Sequence, residues 1–385
     1  MEMRKRIAVI VLIFSMVMSA LMLPAGAAEL ALKAPSAVLM DAATGTVLYE
    51  SNEHERLRPA SVTKIMTLLL VMEALDSGKI GWDDMVTASA AAAAKGGSQV
   101  YLKEGEQMTM DEMLKAVVVS SANDCATALA EHVAGSESVF VDMMNRRAQE
   151  LGMNDTHFVN CTGLDDGADA GEHLTTAYDI ALMSRELLRH KAIRKYTTIW
   201  MDTVRDGKFG LSNTNKLVRF YNGTTGLKTG FTSAAGYCMS ATAVRDGMEL
   251  IAVVMHCASS PDRFESAKAL LDYGFATYAL VTPEAPGELG PVQVKLGKTS
   301  EITPVPASTE PILIDKNLKN SVTTTVELAD TVSAPVEKGQ KLGTMTVKAG
   351  EKTLASIPIV APERVERLTW WQIFGAILRR ACLTA

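Results

Sequence analysis

The chain is short of the features that announce most cofactor chemistry. Its six histidines (54, 132, 157, 173, 190 and 256) include no HExxH or comparable pair on one helical face, so a metal-dependent enzyme is not indicated. No GxGxxG or Walker-type loop follows a strand, and no nucleotide cofactor is expected. There are five cysteines (125, 161, 238, 257 and 382), an odd number without CxxC spacing. They read as buried free thiols rather than a zinc site or a disulfide framework. Basic residues do not dominate either: the formal net charge is −6, which argues against nucleic acid as a partner.

What the sequence has in quantity is apolar surface, 48% of 385 residues, enough for a substantial core and two domains. The N-terminus reads as an export signal. Arg4, Lys5 and Arg6 precede an uncharged run from Ile7 to Leu23, Pro24 breaks it, and Ala25-Gly26-Ala27 or Gly26-Ala27-Ala28 offers a cleavage box. Removing residues 1–28 takes away three basic and one acidic side chain, moving the net charge to −8. The remainder is expected outside the cytoplasm, at the outer face of the cytoplasmic membrane in the periplasm or cell-wall space.

Short apolar segments at 36–41 and 46–51 around Thr44-Gly45 predict a hairpin. Ser61 to Leu75 is apolar on nearly every side, which predicts an internal helix. Thr109 and Glu112 form a capping box before a helix ending at Val119. Further helices are expected at 124–134, 137–151, 176–190 and from 261 to about 279. Strands are expected at 223–231, 237–244 and 248–256, the last two joined at Asp246-Gly247. Strands at both ends with helices between them give an α+β fold, an antiparallel sheet covered by helices. From residue 282 prolines, threonines and valines dominate, with short strands at 291–297, 321–328, 342–348 and 353–360, a small all-β domain. The expected organisation is a signal peptide over 1–28, a catalytic domain over 29–281, a β domain over 282–361 and a terminal helix over 362–385. In that last segment Leu368, Trp370, Trp371, Ile373, Phe374, Ile377 and Leu378 are flanked by Arg364, Arg367, Arg379 and Arg380. The apolar stretch is too short to span a bilayer and suits a helix lying in the headgroup region, a membrane-anchor helix.

Three motifs carry the chemistry. Ser61-Val62-Thr63-Lys64 is Ser-x-x-Lys; Ser121-Ala122-Asn123 begins 60 residues after Ser61; Lys228-Thr229-Gly230 begins 105 residues after Asn123. Residues three apart on a helix share a face, so Ser61 and Lys64 can touch. A serine hydroxyl needs a base to become a good nucleophile. Lys64 can serve if burial, and Lys228 as a second cation, pull its pKa down. Ser121 can pass a proton to a leaving amine and Asn123 can hold a substrate amide. Lys228, Thr229 and Gly230 lie on a strand whose edge can pair with an extended peptide, and Gly230 lets that peptide approach the backbone closely.

This ordered set is the signature of β-lactamases and penicillin-binding proteins. Over most of 36–360 the chain resembles the low-molecular-weight penicillin-binding proteins that are D-Ala-D-Ala carboxypeptidases, including Ser121-Ala-Asn-Asp-Cys-Ala, Thr162-Gly-Leu-Asp165 and the segment from Lys228 to Cys238. The resemblance implies a hydrolase without cofactor that acylates Ser61, releases the terminal D-alanine of a peptidoglycan stem peptide, and binds β-lactam antibiotics. It also implies an oxyanion site at the backbone N–H groups of Ser61 and Phe231, and a carboxylate-binding role for Arg263, 35 residues beyond Lys228. Phe231 stands where some members carry histidine. A class A β-lactamase, the nearest rival, needs a deacylating glutamate, and the corresponding region holds His157 without a Glu-x-x-Leu-Asn segment.

Overall fold

A computed structural model describes residues 30–167 and 169–383; the expected signal peptide lies outside them. The sheet is built from β1 (Ser36–Asp41), β2 (Val47–Ser51), β3 (Thr224–Thr232), β4 (Gly236–Arg245) and β5 (Met248–Cys257). Its order is β2-β1-β5-β4-β3, antiparallel throughout. β1 and β5 therefore meet at the centre although more than 200 residues separate them, with Ala37 opposite Val254 and Leu39 opposite Ala252. Asp246 and Gly247 both take positive φ (51° and 80°) between paired Arg245 and Met248. That geometry suits a two-residue hairpin.

Alternation along the strands assigns the two faces. Val38, Met40, Ile251, Val253 and Met255 pack into one core with α1 (Lys64–Asp76), α2 (Met110–Val119), α3 (Asn123–Ala134), α4 (Glu137–Glu150) and α5 (Ala177–Arg189). Ala37, Leu39, Ala241, Leu250, Ala252 and Val254 face the other way, against Phe264, Ala267, Leu270, Leu271 and Phe275 of α6 (Ser260–Thr277). The chain is thus an α+β fold with an antiparallel sheet covered by helices. α1 is buried over almost its whole length, as a helix without a polar face must be. Its expected start at Ser61 differs in detail: Ala60–Thr63 forms a 3₁₀ turn that leads into α1. The capping box at Thr109 and Glu112 is present. A hairpin of Met201–Val204 with Phe209–Ser212 went unread, because its two arms are only four residues each.

Between α6 and the terminal helix the regular structure is β apart from one 3₁₀ turn at Lys316–Ser321. Lys341–Ala349 pairs with Val322–Leu328 on one side and Lys352–Val360 on the other. Val292, Val294, Val336, Leu342, Ala361 and Val365 form a small core of their own. Because Val365 is buried there and Leu368 N donates to Leu296 O, the segment after Ala361 stays with the β module as far as Leu368. The terminal helix α7 spans Trp370–Leu383. No helix among the described residues is long and apolar enough to cross a membrane. Four cysteines, 125, 161, 238 and 257, are free and buried.

Candidate active site

Three parts of the fold converge at the open edge of the sheet: the 3₁₀ turn before α1, the turn before α3, and the edge strand β3. Each carries one of the three motifs.

Ser61 sits on the 3₁₀ turn, directly after Ala60, which takes φ 47°. Ser121 takes φ 64° at the entry to α3. Non-glycine residues held in this left-handed region cost of order 1–3 kcal/mol each, so Ala60, just before Ser61, and Ser121 itself are fixed by surroundings that outweigh strain. Lys64 Nζ lies 2.9 Å from Ser61 Oγ and donates to Thr162 O at 2.9 Å. Lys228 Nζ lies 2.9 Å from Ser121 Oγ and donates to Thr229 O at 3.0 Å. The site therefore holds two serine–lysine pairs. Each lysine side chain is buried, and each amine has one backbone carbonyl to fix its direction.

Burial pulls the Lys64 pKa down from its usual 10.5 to about 7, against the opposing pull of Cys161 and Asp124. Lys228 is held well below its ordinary range, first by burial and then by the Lys64 and Arg263 charges. Of the two causes the sequence suggested for a lowered Lys64, burial and Lys228 as a second cation, burial is the first cause, and it is the first cause for Lys228 as well.

Asn123 is oriented without ambiguity. Its side-chain nitrogen donates to Gly96 O at 2.7 Å, and since a carbonyl only accepts, the amide cannot be flipped. Asn123 Oδ1 is left buried without a protein partner, free to accept an N–H. Next to it, Asp124 was missed from the sequence. Its carboxylate accepts from the backbone N–H groups of Val100 and Leu102, tying the preceding loop to α3.

Gly230 has a different reason from the one expected. A Cβ there would come within 2.6 Å of Pro59 O and 3.0 Å of Ser61 N, so the close neighbour is the protein's own Ser61 turn. Thr229 Oγ1 donates to Thr214 Oγ1 at 2.7 Å. Phe231 is half exposed, its ring stacked on Tyr237 with centroids 4.2 Å apart. Arg263, on α6, passes beneath the strand: NH1 donates to Gly230 O (3.0 Å) and Cys238 O (3.3 Å), while Nε has no protein partner. Burial lowers its pKa.

A further contribution comes from residues 157–167 and 169–174, where the sequence had singled out His157 and Thr162–Asp165. Gly163 takes φ 81°, and a Cβ on it would fall 1.8 Å from Ala60 O. Thr67 Oγ1 donates to Cys161 O at 2.6 Å. Gly163 and Cys161 are thus pressed against the turn that carries Ser61 and the first turn of α1.

The family model for D-alanyl-D-alanine carboxypeptidases matches residues 24–259. The chain belongs to that family. Residues 280–367 match the C-terminal domain of penicillin-binding protein 5. Among curated relatives, the D-alanyl-D-alanine carboxypeptidase DacF of Bacillus subtilis is 43% identical over 344 residues, 88% of this chain and 87% of its own. DacC of Escherichia coli is 36% identical with the same coverage, 88% and 87%. Among solved structures, penicillin-binding protein 5 of Haemophilus influenzae superposes with a TM-score of 0.73 at 31% identity, covering 87% of this chain and 98% of that one. Penicillin-binding protein D2 of Listeria monocytogenes in its ampicillin-bound form gives a TM-score of 0.59 at 32% identity over 64% of this chain and 99% of that one. The D-alanyl-D-alanine carboxypeptidase family is one of serine peptidases, and the chain is accordingly a penicillin-binding hydrolase of the cell wall.

Proposed function

We propose that Ser61 is the residue acylated, and that the two serine–lysine pairs divide the proton work. Neutral Lys64 takes the Ser61 proton as Oγ attacks the carbonyl carbon between the two terminal D-alanines of a stem peptide. The N–H groups of Ser61 and Phe231 receive the developing oxyanion. Asn123 Oδ1 accepts an N–H of the substrate, which lies along the edge of β3. Lys228, Thr229 and Arg263 set the positive end of the site for the terminal carboxylate, Arg263 with its unpartnered Nε. Ser121, held by Lys228, relays a proton to the departing amino group; the C–N bond breaks and D-alanine leaves. Water then cleaves the ester and restores Ser61. A β-lactam enters by the same attack and is opened onto Ser61.

The observation that carries this reading is the 2.9 Å contact between Ser61 Oγ and a Lys64 amine whose burial lowers its pKa to about 7, so that the unprotonated form is well populated at neutral pH. Labelled penicillin tests it. Wild type should be labelled covalently and Ser61→Ala should not; labelling of the alanine variant at the wild-type rate would move the nucleophile elsewhere.

The same reading places the enzyme on peptidoglycan outside the cytoplasm, exported by residues 1–28, with a catalytic unit over 29–281, a β module after it, and α7 at the outer face of the cytoplasmic membrane. α7 supports this with one exposed apolar face: Trp370, Trp371, Phe374, Ile377 and Leu378 are all exposed, and Trp370 stacks on Phe374 with centroids 5.4 Å apart. Burying one large side chain contributes about 1.5–3 kcal/mol, so several together hold a protein reversibly at a surface. Truncation after Leu368, which spares the β module's core, should give an enzyme that no longer pellets with anionic liposomes yet still cleaves a small diacyl-D-Ala-D-Ala peptide. Continued pelleting would place the anchor elsewhere, and loss of soluble-peptide activity would make α7 part of the catalytic fold.

A further inference from the structure

One buried titratable group beside the site takes no part in the steps above. His173 is 2% exposed and makes two hydrogen bonds. Val159 N–H donates to its Nδ1 at 3.2 Å. A backbone N–H can only donate, so Nδ1 must be unprotonated and the ring proton sits on Nε2. Nε2 then donates to Thr63 Oγ1 at 2.8 Å. Burial favours this neutral form, lowering the ring's pKa to about 4.

Thr63 is the residue immediately before Lys64. His173 therefore ties the C-terminal end of the segment 157–174 to the Ser-x-x-Lys turn, and through Val159 it ties the N-terminal end as well. The two ends also pair with each other, His157 N with Leu174 O and Leu174 N with His157 O. Between them the segment presents Cys161 O to Thr67 and Thr162 O to Lys64. A neutral amine has two N–H donors and one lone pair. With one N–H spent on Thr162 O, the lone pair can be turned toward Ser61 Oγ. The same segment lies directly on the Lys64 amine through Thr162 O, Lys64 is fully buried, and burial is the first cause of its lowered pKa.

We propose that His173 is a positioning residue for acylation: its hydrogen bonds to Thr63 and Val159 lock the 157–174 segment over Lys64, and the lock both aims the amine and keeps it dry. The inference rests on Lys64 acting as the base. Its distinguishing consequence is electrostatic. Loosening the segment admits water to Lys64, and the desolvation that lowered the pKa is partly undone. The other charged or titratable groups that face Lys64 are Asp124, Cys161 and Lys228, and His157 faces His173; none of them is altered by the substitutions below.

The test is the pH profile of acylation by labelled penicillin in full-length His173→Ala and Thr63→Val. In each, the midpoint should move upward from the wild-type value by roughly one pH unit, with acylation at pH 7 reduced roughly fivefold. The double variant should be no worse than His173→Ala alone, because Thr63→Val removes a link that His173→Ala has already removed, and Thr63→Ser should restore the wild-type profile. A reduced amplitude with an unmoved midpoint would mean that His173 serves folding alone and would overturn the proposal, as would additive effects of the two substitutions. If His173→Ala does not fold, Thr63→Val and Thr63→Ser decide the matter by themselves. Wild type that fails to acylate at all would instead overturn the underlying assignment of Ser61 and Lys64.

Discussion

Replacing Lys64 with arginine should slow acylation by about 10²–10⁴-fold, the range for loss of a positioned general base. The substitution keeps a cation and a long side chain but removes the ability to take a proton near neutrality, since guanidinium stays protonated. It also forces a permanent charge into a fully buried position, where the wild-type amine is stable because burial lets it shed its proton. In wild type the active base is the unprotonated form. Acylation should therefore rise as pH increases through about 7 and flatten above it, and the arginine variant should lose that rise. Rapid-mixing measurements with a labelled penicillin across pH separate the two effects. Near-normal acylation by Lys64→Arg would shift the base role to another group, with Ser121 the next candidate.

Gly163→Ala carries the second large effect. The glycine sits at φ 81°, where any Cβ is strained, and the added carbon would lie 1.8 Å from Ala60 O and 2.7 Å from Thr63 Oγ1. A backbone oxygen cannot move aside as a side-chain tip can, so either the 157–174 segment lifts or the nucleophile turn shifts. Overpacking costs about 1–3 kcal/mol and left-handed strain adds a comparable amount. The expected outcome is a thermal midpoint lowered by several degrees together with acylation reduced by at least about tenfold, because Thr162 O leaves Lys64. Gly152→Ala is a useful control. It shares the positive φ, 77°, but its Cβ would meet nothing within 4 Å, so it should lose some stability and keep its acylation rate.

These two sites show what a sequence can and cannot convey. The contact of Ser61 with Lys64 was legible because residues three apart share a helical face, and Ser121, Asn123 and Lys228 stood out through their motifs, but the pairing of Lys228 with Ser121 was not legible; the helix of Lys64 announced itself by having no polar face. The α+β layering was legible because apolar alternation in β1 and β5 and the run of helices between them leave few other ways to bury both faces. The partners of the motifs were not. Thr162 contributes a backbone carbonyl, which leaves no trace in the identity of its side chain. His173 meets Thr63 from 110 residues away, a distance that no periodicity spans. Nothing in the position of Asp124 announces that it holds a loop by two backbone N–H groups, which come from residues more than 20 positions earlier. Gly230 was recognised as a point of close approach, but what comes close is Ser61 N and Pro59 O, which only the folded chain brings there.

The most direct measurement is incubation of the full-length protein with a stem pentapeptide ending in D-Ala-D-Ala, following free D-alanine while intact-protein mass is recorded. Wild type should release one D-alanine per peptide, with the acyl mass, where it accumulates, located on Ser61. The Ser61→Ala variant should release none and carry no added mass. Release by the alanine variant at the wild-type rate, or an acyl group found on Ser121 instead, would contradict the assignment of Ser61 as nucleophile.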